Sequence, residues 1–147
     1  MPIPALLDTG LLPPGIHCAS LIEVEQVFGT TSDRRLELFK KLTAFLDLAR
    51  SFSVFKAIYL DGSFVTAKGN PGDVDAVLEL PRENLQKLIV HRERTTIIDF
   101  HAVKARFEVH LFFEPSMIQY FQGLKPNEAI ERKVDPASKR GILKVDI

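Results

Sequence analysis

The chain has 147 residues, of which 46% are hydrophobic and 26% charged, with a single cysteine. That length suits one domain with one core, and the composition excludes wholesale disorder. Nineteen basic and nineteen acidic residues cancel, which excludes a uniformly cationic coat for nucleic acid or membrane but leaves a local basic groove open. Cys18 alone excludes an internal disulfide framework and a multi-cysteine zinc site. No apolar run reaches the roughly 18 residues of a membrane-spanning helix, and residues 1–12 lack the basic stretch of a secretory leader. A cytoplasmic protein with no membrane partner is expected.

Residues 1–19 carry Pro2, Pro4, Pro13 and Pro14 without periodicity, so they read as an extended arm lying on a domain spanning 20–147, or as a flexible end. Ser20 and Glu23 have the spacing of a capping box, and Leu21, Val24, Val27 and Phe28 then share a helical face that Gly29 closes. Thr31 or Ser32 caps a second helix over 33–50, where Leu36, Phe39, Leu42, Phe45, Leu46 and Ala49 recur at steps of three and four. Arg34 and Arg35 open this helix, an unfavourable place for cations; a solvated face or a phosphate or partner contact explains them.

The run VFKAIYL at 54–60 is β-branched and aromatic, and predicts a buried strand. Asp61-Gly62-Ser63 ends it, a helical turn follows over 64–67, and 68–72 form a loop. DVDAVLEL at 73–80 predicts a second strand. Pro81 opens a helix of about ten residues carrying Leu85, Leu88 and Ile89. Residues 92–101 leave helix and strand open. The alternation of 104–113 predicts a third strand, with Arg106, Glu108 and His110 on one side and Phe107, Val109 and Leu111 on the other. Pro115 and Ser116 start a short helix, 123–138 are polar and irregular or partly helical, and 141–147 add a final strand. The expected fold class is α+β: a small mixed sheet packed with helices.

The chemistry concentrates in LDGSFVTAKGNPGDVDAVLEL, residues 60–80. Asp73 and Asp75 lie two apart on a strand, which points both side chains to one side with Cα atoms roughly 7 Å apart. Two carboxylates aimed together repel unless a cation sits between them. Mg²⁺ suits such oxygen ligands alongside substrate phosphates, and one or two ions can steady an attacking oxygen and a leaving pyrophosphate. Gly62-Ser63 follows a strand and precedes a helical turn. Glycine allows close approach of a ligand, and free amides with the serine hydroxyl attract phosphate oxygens. A phosphate cradle at one strand end and metal ligands at the next make the two halves of a nucleoside triphosphate site. His110, on the side of Glu108, is a substrate contact or a partly buried structural histidine. His17, His91 and His101 are isolated and read as surface or packing residues.

Gly62-Ser63, the link 64–72, and Asp73-Val74-Asp75 on a strand resemble the signature of the polymerase-β-like nucleotidyltransferase superfamily. The small size resembles its minimal members, among them toxin–antitoxin nucleotidyltransferases. The wider run from Pro13-Pro14-Gly15-Ile16-His17 through GSFVTAK and GDVDAVL is similar to an uncharacterised bacterial family of nucleotidyltransferase-like proteins. The resemblance implies a nucleotidyltransferase-like fold in which Gly62 and Ser63 hold the triphosphate and Asp73 and Asp75 bind Mg²⁺. It also implies a third acidic residue from a later strand, for which Glu108 is the candidate, although aspartate is commoner there. Where the minimal pattern has an arginine soon after Gly-Ser, this chain has Val65-Thr66-Ala67-Lys68, so Lys68 is the candidate phosphate cation. The implied activity is transfer of a nucleoside monophosphate from a nucleoside triphosphate to a hydroxyl of a protein, tRNA or small molecule, releasing pyrophosphate. The alternative is a catalytically inactive binding module on the same fold, antitoxin-like or a scaffold with a protein partner.

Overall fold

The computed structural model describes residues 2–147. Strand β1 (Gly15–Cys18) leads to α1 (Leu21–Val24), which runs on through a wider π turn at Glu25–Gly29. The capping box is present: Ser20 accepts from the Glu23 amide, and Glu23 accepts from that of Ser20. Helix α2 (Asp33–Ser51) is capped by Ser32, and β2 (Ala57–Asp61) follows. A 3₁₀ turn at Gly62–Val65 and a loop reach β3 (Val74–Glu79). Next come α3 (Leu85–Ile89), α4 (Thr95–Ile98), α5 (Phe100–Phe107) and β4 (Val109–Phe112). Helices α6 (Ser116–Phe121) and α7 (Pro126–Arg132) precede β5 (Gly141–Asp146).

The five strands form one mixed sheet in the order β1-β5-β2-β3-β4. β2 is antiparallel to both β3 and β5, whereas β1 runs parallel to β5 and β4 parallel to β3. This is the α+β class expected. The proline-rich segment takes part in the sheet: it supplies β1, and Leu11 and Leu12 are buried.

Period two divides the sheet into two faces. Ile58, Leu60, Val74, Ala76, Leu78, Val109, Leu111, Leu143 and Val145 face the main core. There they meet Leu38, Leu42, Phe45, Leu46 and Ala49 of α2 and Val103 and Phe107 of α5. The opposite face carries a smaller cluster, Tyr59, Val77 and Ile142, capped by Phe121 of α6.

The strand expected over 104–113 begins only at Val109. Residues up to Phe107 are helical, because Val103 and Phe107, four apart, both reach the core at helical spacing. Glu108 breaks the helix in the left-handed region, with φ 53°. The helix expected after Pro81 is a 3₁₀ turn (Arg82–Asn84) followed by the short α3. Residues 92–101 are helical except at the breaks on either side of α4.

Candidate functional site

The site sits at the end of the sheet where β2 and β3 turn. Asp61 and Asp75 are register partners across these antiparallel strands, and Asp75 and His110 across the parallel pair β3 and β4. Asp61, Asp75 and His110 therefore form one row across three strands, pointing to the side away from the main core. Gly62 follows immediately, with φ 73°. A Cβ there would strike the Asp75 carboxylate, so only glycine lets β2 turn against that side chain.

The first residues of α2 hold the link in place. Arg35 is buried and donates to the carbonyls of Phe28 (3.1 Å), Phe64 (2.6 Å), Thr66 (2.6 Å) and Lys68 (2.6 Å). Its guanidinium lies 5.7 and 5.4 Å from the ring centres of Phe28 and Phe64. Burial lowers its pKa. Arg34 donates to Pro71 O (3.1 Å) and Gly72 O (2.5 Å). The Ser32 hydroxyl donates to Gly69 O at 2.8 Å. Neither arginine is idle surface: both clamp the loop that delivers Asp73.

Asp73 lies 3.5 Å from Lys104, and Asp75 Oδ1 lies 3.2 Å from His110 Nδ1. One ligand atom each from Asp73, Asp75 and His110 falls within 4.8 Å of the others. Donors about 2.1 Å from a common ion lie up to about 4.2 Å apart, so a small rotamer adjustment suffices for these three to share a divalent cation. Burial and the neighbouring Asp73 charge raise the pKa of Asp75, opposed by His110 and Lys125.

Asp61 is wholly buried, and neither carboxylate oxygen has a hydrogen-bond partner. Burial first, and then the Asp75 charge, push its pKa up to about 8. Arg140 is buried beside it, donating to Glu128 (2.8 Å) and to Gly62 O (2.7 Å), while its Nε has no partner. Burial lowers the Arg140 pKa.

A cavity of about 920 Å³ opens beside Asp75, and all six residues expected from the sequence line it: Gly62, Ser63, Lys68, Asp73, Asp75 and Glu108. Lys104, Lys125, Arg132, Arg140 and the exposed ring of Tyr120 line it too. Glu108, however, is not one of the three clustered donors. Both its oxygens are taken by Arg34 (2.9 Å each) and one by Lys41 (2.8 Å), which hold its pKa down to about 2. As the residue that breaks α5 it is held against α2, and the third member of the cluster is His110. Asp61 and Arg140 were not singled out in the sequence. An aspartate closing an apolar strand just before Gly-Ser is a readable signal for the first; Arg140, next to Lys139 in a polar stretch, carries none.

Fold and site together define an α+β protein with a charged cleft lined by Asp73 and Asp75, beside which His110 completes an Asp-Asp-His cluster. Residues 4–146 match a family described as "Family of unknown function (DUF6932)", and the chain belongs to it. No curated protein and no solved structure matches the chain. Among the described residues, no helix is long and apolar enough to cross a membrane.

Proposed function

We propose that the protein is a metal-dependent nucleotidyltransferase. The observation that carries this proposal is the meeting of Gly62-Ser63 with Asp73 and Asp75 at the rim of one cleft that also presents Lys68, Lys104 and Lys125. Asp73 and Asp75 would hold a divalent cation, of which Mg²⁺ is one. An ion held there would supply positive charge to the triphosphate. Gly62 and Ser63 would seat the phosphate chain, and Lys68 would balance its charge. An acceptor hydroxyl oxygen attacks the α-phosphorus, the bond to the bridging oxygen breaks, pyrophosphate leaves and the acceptor proton passes to water. Positioning and charge neutralisation are enough for such chemistry. The acceptor class, whether protein, tRNA or small molecule, follows from what becomes labelled.

A second proposal is a nucleotide-binding or partner-binding module without transfer. It is favoured by one observation: Glu108 is bound by Arg34 and Lys41, and an imidazole takes the third place.

Heat protection by ATP, GTP, CTP and UTP with Mg²⁺ tests the site. A ligand at about a hundredfold excess over Kd adds about 2.7 kcal/mol, which raises Tm by roughly 5–10 °C for a chain of this size. The shift is expected for at least one nucleotide and is lost in folded Asp73→Asn/Asp75→Asn. Labelled nucleotide incubated with cell extract then separates the two proposals: an acceptor labelled with nucleoside monophosphate supports transfer, and protection without labelling supports the module.

A further inference from the structure

We propose that His110 is a ligand of the ion-binding set with Asp73 and Asp75, and that its imidazole makes the site select a first-row transition cation, Mn²⁺ in the test below, over Mg²⁺. This deepens the metal site proposed above and rests on it, but not on the transfer chemistry.

Three independent observations converge on it. The strand register sets His110 opposite Asp75, and the donor atoms of all three residues lie within 4.8 Å of one another. The imidazole is also held in orientation: its ring packs on Phe112 at 4.5 Å, and Nδ1 meets Asp75 Oδ1 at 3.2 Å. Two donors about 2.1 Å from one ion and at right angles to each other lie about 3.0 Å apart, close to this spacing. Next along the same row lies Asp61, fully buried with both oxygens unpartnered. No hydrogen bond joins it to Arg140 among the described residues. An unpartnered buried carboxylate beside the half-buried Asp73 and Asp75 is a polar group that a nearby cation would satisfy.

The donor set decides the class of ion. Mg²⁺ requires near-ideal oxygen coordination and gives up its waters reluctantly. Imidazole nitrogen binds first-row transition ions, which accept mixed nitrogen and oxygen donors. A carboxylate at position 110 would leave an all-oxygen set suited to Mg²⁺. Histidine there changes the chemistry of the third ligand without moving the other two.

The test uses the full chain free of nucleotide. Mn²⁺ and Mg²⁺ are titrated separately, with free Mn²⁺ followed by electron paramagnetic resonance and Mg²⁺ by competition. Wild type is expected to bind Mn²⁺ at least about tenfold more tightly than Mg²⁺. His110→Ala should lose about tenfold or more in Mn²⁺ affinity, and His110→Asp should bring the two ions to similar affinity. Equal affinities in wild type, or an unchanged Mn²⁺ affinity in His110→Ala, would overturn the proposal. A measurement needing no variant guards against misfolding. In imidazole nitrogen spectra of wild type, substoichiometric Mn²⁺ should broaden His110 before His17, His91 or His101, and uniform broadening of all four would also overturn it. Mn²⁺ binding through His110 without nucleotide protection would leave this inference standing and end the transferase proposal. Mg²⁺-dependent nucleotide protection with an unbroadened His110 would do the reverse.

Discussion

Glu108 is held by two cations of one helix, Arg34 and Lys41, across a gap that the left-handed turn at φ 53° creates. The bidentate contact with Arg34 is the stronger of the two kinds of pair, although partial exposure and salt limit its worth to about 1 kcal/mol. Folding depresses this carboxyl from 4.5 to about 2. Its contribution is therefore complete above pH 4.5 and is lost as pH falls toward about 2. Urea unfolding of wild type and Glu108→Gln should differ by about 1 kcal/mol at neutral pH, and the gap should close across that acid window. A gap that stays constant to the acid end would show that the ion pairs are not its source. That His110 rather than Glu108 joins the two aspartates has a plain cause. Both lie on the same side in a period-two count, and which of them faces Asp75 depends on where helix gives way to strand. Asp73, Asp75, Gly62 and Ser63 were legible because two consecutive strands joined by a short loop pair antiparallel and bring them together. His110 required the register of two strands 35 residues apart, from Asp75 to His110, which no local pattern encodes.

At the scale of elements, the opening turn of α2 does more than pack. Ser32, Arg34 and Arg35 together bind carbonyls from Phe64 to Gly72. The helix and the loop between β2 and β3 therefore behave as one unit. Truncating Arg35 strands several buried carbonyls, each costing about 1–3 kcal/mol when left unpaired. Arg35→Ala should destabilise by about 3–5 kcal/mol, with Arg35→Lys losing less because it keeps a donor. Hydrogen exchange should show amides of 62–72 opening in either variant before those of β2. A loss below about 1 kcal/mol would mean that water replaces the guanidinium without cost. The sequence made α2 clear through its apolar spacing, but cations at a helix start look the same whether solvated or clamping. Their acceptors are backbone carbonyls, which leave no trace in side-chain pattern. The strand overread through 104–108 has a related origin: Phe107 satisfies a helical face and an alternating one at once, and only its packing against α2 decides.

At the scale of the molecule, the sheet is completed by its two distant ends. The Gly141 amide donates to Leu12 O at 3.1 Å, β1 pairs with β5, and Leu11 and Leu12 are buried. Removing residues 1–19 should cost about 3–6 kcal/mol from two buried leucines alone. It also bares an edge of β5 to intermolecular pairing. Size-exclusion chromatography and thermal unfolding of the truncated chain should show aggregation and a lowered Tm. An unchanged Tm would make the segment a dispensable arm. The α+β class and most elements were legible from periodicity and from glycine and proline punctuation. The role of β1 was not: four residues among prolines look irregular until a partner strand satisfies their amides.

The strand order carries one more consequence. Residues 141–146 are synthesised after every other strand, yet they occupy an interior slot between β1 and β2. While they are still inside the ribosome, a nascent chain has no partner for β1 and an open edge on β2. Sheet closure therefore waits for residues 141–146, and until they are free of the ribosome the earlier strands keep their unpaired edges.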